Sequence, residues 1–145
     1  MHIFFKGYFV QNHSRMATRQ DVFGQLWKEY ALSDSRYLSS DTTILVMEAV
    51  TVCVQGSLSY LMVALIIFSH PLRYLVQGLV SLGHIHFDII YLATAWFDER
   101  HRGISYCRPE PYYFWFYYFG MNFTWIAVPA RKSLSLADSR LSLIP

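Results

Sequence analysis

Long apolar runs, each broken by regularly spaced polar residues, dominate this chain. The clearest run covers residues 44–68. As a helix it would be about 37 Å long, which exceeds the hydrocarbon core of about 30 Å. Residues 72–97 and 112–128 form further runs of spanning length, whereas residues 2–10 reach only about 14 Å as a helix. The pattern therefore predicts an all-α fold, an integral membrane helical bundle with three full spans and a partial N-terminal helix.

A polar connector, residues 11–41, separates the short first run from the first full span. Within it, residues 21–30 have the amphipathic pattern of a helix that lies at the membrane interface. Trp27 and Tyr30 would be suited to that position, because aromatic residues with a polar edge concentrate there. The cluster at residues 39–41 contains serine and aspartate, which predicts a cap for the following helix.

The C-terminal end is marked by Pro129, which is expected to stop the last helix because proline lacks the backbone N–H. Arg131 follows directly and marks a membrane interface. The serine-rich remainder is typical of an unstructured end. We therefore expect a membrane domain over residues 1–130 and a disordered tail over residues 131–145.

Polar residues inside the apolar runs recur at helical spacing, so that each set occupies one helix face. The sets are Glu48, Thr51, Gln55 and Ser59 in the first full span, Gln77, Ser81, His84, Asp88 and Tyr91 in the second, and Tyr118, Asn122 and Trp125 in the third. A charged group such as Glu48 costs about 3 kcal/mol in the middle of a bilayer. We therefore expect the three faces to line a cavity walled by protein.

Composition supports the membrane assignment, since 54% of the residues are hydrophobic and 18% are aromatic. The formal net charge of +2 gives no basic stripe, and no recognition-helix pattern or glycine-rich phosphate loop is present. Nucleic acid is therefore not expected as a partner. Cys53 and Cys107 fall in an apolar span and a loop, so that a disulfide between them is not expected.

A metal site is suggested by the cluster His84, His86 and Asp88. On a helix, however, His84 and Asp88 share a face while His86 points to the opposite side. One helix would then offer two ligands, and no further His or Cys motif supplies the others. We therefore predict no metal, and a hydrogen-bonded His–Asp pair instead.

Carboxylate chemistry is better supported. Burial favours the neutral form of a carboxyl such as that of Glu48, and this is the form a general acid needs. Asn122 can orient a polar group, and the Trp125 ring can stabilise a cation by about 2 kcal/mol when desolvated. An acid, an amide and an indole in an apolar cavity suit protonation of an isolated double bond. The same residues could equally serve as interhelical hydrogen bonds that hold a bundle together.

Several segments carry a specific resemblance. They are FGQLWKEYALSDSRYL (23–38), MEAVT (47–51), HPLRY (70–74), YCRPE (106–110) and YFWFYYFGMNFTW (113–125). Over residues 2–129 the chain resembles the emopamil-binding protein family, the sterol Δ8–Δ7 isomerases. The resemblance implies a multi-pass enzyme of the endoplasmic reticulum membrane that acts on a sterol or similar lipid without a cofactor. It would protonate the 8,9 double bond at C9 and remove a proton from C7.

The resemblance also implies roles for individual residues. The expected catalytic residues are His2, Glu48, Asn122 and Trp125. The residues expected to contact the substrate are Lys6, Tyr30, Tyr37, Thr51, His84, Asp88 and Tyr118, taken from the resemblance and from the polar faces.

The chain departs from the family pattern in several places. The family's first helix is lacking, and Lys6 stands where the family has a second essential glutamate. An ammonium at Lys6 would place like charge beside a cationic intermediate, or would pair with Glu48. Gln55 stands where the family usually has tryptophan, Ser57 where it has proline, and Phe87 where it has glycine.

The sequence therefore favours a sterol Δ8–Δ7 isomerase. Open alternatives are a disabled or non-catalytic membrane protein that binds sterols or amines, an isomerase of another isoprenoid, and a partial product that does not fold alone. A homodimer also stays open.

Overall fold

A computed structural model describes the backbone of residues 2–141 and the side chains of residues 3–131. Every regular element within that part of the chain is helical, which confirms the predicted all-α class. The α-helices are α1 (Gly7–Asn12), α2 (Val22–Tyr30), α3 (Thr42–Val50), α4 (Gly56–Ile67), α5 (Arg73–Arg102) and α6 (Asn122–Leu141). Three π-helical segments, His2–Lys6, Thr51–Gln55 and Tyr113–Met121, and two 3₁₀ turns, His13–Thr18 and Ser35–Tyr37, complete the chain.

The central helix is continuous from Thr42 to Ile67 through the π-helical segment between α3 and α4. Its start is fixed by Asp41, whose Oδ1 accepts a hydrogen bond from the Ile44 backbone N–H at 3.1 Å. This is the cap that the Ser-Ser-Asp cluster predicts. Ser40 has a φ of 53°, a left-handed conformation that turns the connector into the helix.

Helix α5 ends at Arg102 and is capped by Gly103, whose φ of 66° is left-handed and favours glycine. The helix runs five residues beyond the predicted end at residue 97. The charged last turn is stabilised by an ion pair of 3.1 Å between Asp98 and Arg102, four residues apart. Helix α5 packs against α4 on one side and α6 on the other.

Two helices in the described part of the chain are long and apolar enough to cross a membrane, Thr42–Ile67 and Arg73–Arg102. Only 17% and 22% of their most apolar windows are buried inside the protein, so that most apolar side chains face outward. Exposed examples are Ile67, Leu75 and Leu82. Such exposure is typical of a membrane protein and not of a soluble core helix. The third full span stays a prediction.

The last helix corrects one prediction. The backbone is helical through Pro129 to Leu141, so that proline does not end it. Proline removes one hydrogen bond, to the carbonyl four residues earlier, and a buried proline in an apolar helix is tolerated when its neighbours compensate. Residues 131–141 of the expected tail are therefore helical, and residues 142–145 lie outside those described.

An aromatic core lies where the N-terminal segment and the connector meet the long helices. Trp27 is 3% exposed, and its ring stacks on Phe5 at 4.5 Å and on Tyr37 at 5.0 Å. The indole Nε1 also donates to the Phe5 carbonyl at 3.1 Å. The expectation that Trp27 anchors α2 at the interface is therefore wrong, because this face of α2 packs inward. Phe23 and Leu26 occupy the outward, exposed face instead.

The connector is fastened to α5 by a buried ion pair. Arg36 and Asp34 are 2% and 0% exposed and meet at 2.6 Å. The guanidinium also donates to Thr94 Oγ1 at 2.9 Å and lies between the rings of Tyr91 and Tyr106, 4.8 and 4.9 Å from their centroids. Hydrogen bonds and ring faces together compensate for the desolvation of both charges.

We expect Asp34→Asn to lower the free energy of unfolding by about 3–5 kcal/mol, because the Arg36 charge would stay buried without its counter-charge. Chemical unfolding in detergent micelles measures the effect. The exposed pair Arg108–Glu110 provides the control, and Glu110→Gln should cost at most about 1 kcal/mol. Equal, small losses for both variants would contradict this account of the connector.

Candidate functional site

The apolar cavity that the polar faces predict is present inside the bundle. Aromatic rings and methionine side chains form much of its wall, with a few polar groups among them, as in sites that bind apolar ligands. Its walls are formed by the N-terminal segment, α2, the connector and all three long helices. The lining residues are Phe5, Lys6, Trp27, Tyr30, Tyr37, Met47, Glu48, Thr51, Gln55, His84, Phe87, Asp88, Tyr91, Met121, Asn122 and Trp125.

Most of the residues singled out in the sequence meet at this cavity. Those that line it are Lys6, Tyr30, Tyr37, Glu48, Thr51, His84, Asp88, Asn122 and Trp125. Tyr118 does not line it but packs behind it against Tyr91, with ring centroids 5.9 Å apart. The side chain of His2 lies outside those described.

Each of the three π-helical segments contributes to the cavity wall. Lys6 ends the first segment, Thr51 and Gln55 begin and end the second, and Met121 ends the third just before Asn122. A π turn takes in an extra residue and widens the helix locally, and such turns concentrate at functional sites. The backbone is therefore irregular where the side chains must converge.

The Glu48 carboxyl is the most buried charged group of the cavity, with 6% of the residue exposed. Its Oε1 accepts a hydrogen bond from the Tyr37 hydroxyl at 2.8 Å, and its Oε2 lies 2.9 Å from the Lys6 ammonium. The carboxyl therefore faces the protein interior and has a partner on each oxygen. The pairing of Lys6 with Glu48, one of the two alternatives left by the sequence, is the arrangement found.

The phenol beside Glu48 is held in its protonated form. Burial raises the pKa of Tyr37 well above its usual range, and the negative charge of Glu48 raises it further. Burial likewise raises the pKa of Tyr30, with Glu48 again adding to the effect. Tyr37 is therefore a permanent hydrogen-bond donor to the carboxyl.

Two rings stack on the opposite wall of the cavity. The rings of His84 and Trp125 are nearly parallel, 12° apart, with centroids separated by 5.9 Å. His84 Nδ1 lies 2.9 Å from the Val80 carbonyl oxygen, which can only accept, so that Nδ1 carries the proton. Trp125 thus lies in the same cavity as Glu48 with its ring orientation fixed by a neighbour.

A match to a known protein family shows which kind of helical protein this chain is. A family model described as EXPERA (EXPanded EBP superfamily) matches residues 22–132. The chain belongs to this family. The resemblance found in the sequence motifs is thereby confirmed.

Curated members agree with this assignment. A 3-beta-hydroxysteroid-Delta(8),Delta(7)-isomerase of Cavia porcellus is 40% identical over 89% of this chain and 55% of its own length. The Mus musculus protein of the same name is 36% identical over 97% of the chain and 63% of its own length. The isomeliandiol synthase ISM1 of Ailanthus altissima is 34% identical over 93% and 62%. The chain thus spans between 55% and 63% of the length of these relatives.

Some cavity residues of this EXPERA chain were not anticipated from the sequence. Phe5 and Trp27 form an apolar wall, although Phe5 belongs to the expected partial N-terminal helix and Trp27 was expected at the interface. Met47 and Met121 directly precede Glu48 and Asn122 and fill the space around them. The spacing of Trp27 and Tyr30, three residues apart on one face of α2, is the signal that could have placed both inside.

The His84, His86 and Asp88 cluster separates as the helical spacing predicts. His86 is exposed, whereas His84 and Asp88 line the cavity. Among the residues with described side chains, no group of three or more His, Cys, Asp or Glu is arranged to hold a metal ion.

A double-mutant cycle tests the buried pair. Lys6→Met and Glu48→Gln should each lower the free energy of unfolding, while the double variant loses less than the sum. We expect a coupling of about 1–3 kcal/mol, because either single change leaves one group of the pair desolvated without its partner. Denaturant unfolding in micelles measures all four proteins.

The same cycle on the exposed pair Arg108–Glu110 is the matched control, and its coupling should stay below about 1 kcal/mol. Additive losses at Lys6 and Glu48, within about 0.5 kcal/mol, would show that the 2.9 Å contact carries no net interaction.

Proposed function

We propose that this chain acts as a sterol Δ8–Δ7 isomerase in the endoplasmic reticulum membrane. The observation that carries the proposal is the Glu48 carboxyl, buried in a cavity walled largely by aromatic rings in a chain of the EXPERA family. The names of the curated relatives in Cavia porcellus and Mus musculus supply the substrate class. A sterol is largely apolar, which suits a wall of aromatic rings with a few polar side chains.

In the membrane, we propose that the segment from Tyr113 onward forms a third span beside Thr42–Ile67 and Arg73–Arg102. Its aromatic side chains support this, since Trp115, Phe119 and Phe123 are exposed on the outside of the bundle. The N-terminal segment would enter the bilayer only partly. A sterol could then reach the cavity from the surrounding lipid.

The reaction moves one double bond without net gain or loss of atoms. A proton is added to C9 of the 8,9 double bond, which leaves positive charge at C8. Loss of a proton from C7 then forms the 7,8 double bond. Two proton-transfer groups are therefore needed, and no oxidant or reductant enters the balance.

Glu48 is the proposed proton donor to C9. Lys6 lies within hydrogen-bond reach at 2.9 Å, so that its ammonium can pass a proton to the carboxyl within the pair. The pair then consists of an acid and a neutral amine, which removes the like charge before the sterol cation forms. The neutral amine takes up the proton lost from C7, so that the ammonium and the carboxylate are restored. Tyr37 keeps the carboxyl oriented throughout, and His2 shares the proton shuttle in this proposal.

Trp125 would face the developing cation, an interaction of about 2 kcal/mol in a desolvated site. Its orientation is supported by the stack with His84. The Asn122 amide nitrogen donates a hydrogen bond to the backbone carbonyl of Tyr118. Tyr118 therefore orients Asn122 without lining the cavity itself. Thr51 donates to the Met47 carbonyl at 2.8 Å and orders the helix next to Glu48.

Expression in a microbe that lacks its own sterol isomerase tests the proposal, with Δ8 and Δ7 sterols read by mass spectrometry. The chain should restore Δ7 sterol, and Glu48→Gln should lower conversion by about 100- to 10,000-fold, the range for loss of a general acid. Binding of a Δ8 sterol to the purified variant shows whether the cavity still forms.

The matched control is His86→Ala, a change on the exposed side of α5 that should leave conversion unchanged. Persistent Δ8 sterol with the unaltered chain, together with normal sterol binding, would contradict the isomerase and support a non-catalytic sterol-binding protein instead.

A further inference from the structure

One polar side chain of the cavity has no part in the proposed proton transfer. Gln55 is 3% exposed, and its Oε1 is buried without a hydrogen-bond partner among the side chains that the structure describes. A buried amide oxygen left unsatisfied is costly, and nearly all such groups in folded proteins are paired. Since Gln55 lines the cavity, a group of the bound ligand can provide the missing partner.

The Gln55 amide occupies the space that a glycine leaves on the surface of the facing helix. A Cβ added at Gly83 of α5 would lie 1.5 Å from the Gln55 amide nitrogen and 2.7 Å from Cδ. Only glycine therefore lets the glutamine side chain reach this far across. The amide therefore lies against α5 at the cavity wall, where a ligand can contact it.

The amide also lies well away from the reacting carboxyl. Gln55 follows Glu48 by seven residues, a rise of about 10 Å along the helix. The cavity thus has the Glu48–Lys6 pair at one point and a neutral amide, that of Gln55, at another, with an apolar wall such as Phe87 beside them. A ligand that meets both must carry a polar substituent apart from its reacting double bond.

We propose that Gln55 binds a hydroxyl group of the sterol and thereby selects hydroxylated substrates; this rests on the proposed isomerase function. An alcohol both donates and accepts hydrogen bonds, so that it satisfies either end of an amide. The unpaired Oε1 accepts and therefore needs a donor, which a hydroxyl supplies and a ketone does not. Gln55 acts in binding and takes no part in the proton transfer at Glu48.

Three probes test the inference: a Δ8 sterol with its 3-hydroxyl, the 3-deoxy analogue, and the first sterol with an added side-chain hydroxyl. Dissociation constants are measured in micelles from the quenching of tryptophan fluorescence, since Trp27 and Trp125 line the cavity. The 3-hydroxy sterol forms one pair with the 3-deoxy analogue and another with the sterol that has the added side-chain hydroxyl. In one of these pairs, the unaltered chain should bind the sterol with the additional hydroxyl about five- to tenfold more tightly, the usual contribution of one hydrogen bond. The pair that responds shows which end of the sterol meets Gln55.

Two variants and a control complete the design. Gln55→Met keeps the size of the side chain but removes the acceptor, and Gly83→Ala displaces the amide. In both variants the dissociation constants of the two sterols in the responding pair should become equal, a ratio of about 1. Gly78→Ala lies on the same helix with nothing within 4 Å of the added Cβ, and it should keep the preference.

Equal binding of all three probes by the unaltered chain, or an unchanged preference in Gln55→Met, would overturn the inference. Conversion of Δ8 to Δ7 sterol is followed in the same samples. Conversion without a Gln55-dependent preference contradicts the inference alone, whereas a Gln55-dependent preference without conversion contradicts the isomerase alone.

Discussion

The buried contact between Glu48, Tyr37 and Lys6 is the constraint around which this protein is built. A carboxyl inside an apolar bundle needs partners, and both come from segments outside its own helix, the N-terminal segment and the connector. The neighbouring Arg36 fastens that connector to α5 through Asp34, one of the most buried pairs described. Tyr37 is the next residue along the chain, so that this pair also sets where the phenol meets the carboxyl.

The two polar networks are kept apart by the aromatic core. Phe9 and Trp27 pack against the Tyr37 ring at 5.0 Å, which separates the hydroxyl side of the phenol from the outer surface. The carboxyl is therefore reached from the cavity and not from water at the connector. Exclusion of water strengthens each hydrogen bond and charge contact inside.

The polar helix faces could be predicted from the sequence. Glu48, Asn122 and Trp125 lie at regular spacing within apolar runs, and the spacing decides which face a residue occupies. The partners of these residues were harder to predict. Tyr37 reaches Glu48 from a 3₁₀ turn, and the Gln55 amide fits against Gly83, contacts that depend on how separate elements pack. The low helix propensity of proline also led to a wrong prediction at Pro129, because the helix continues there despite the missing backbone N–H.

Isotope tracing tests the central claim most directly. The purified chain converts a Δ8 sterol in D₂O, and mass spectrometry with NMR locates deuterium in the product. Protonation by an exchangeable group at Glu48 predicts one deuterium at C9, with the label lost in Glu48→Gln because product no longer forms. A Δ7 product without deuterium at C9, or labelled product at an undiminished rate from Glu48→Gln, would contradict the account.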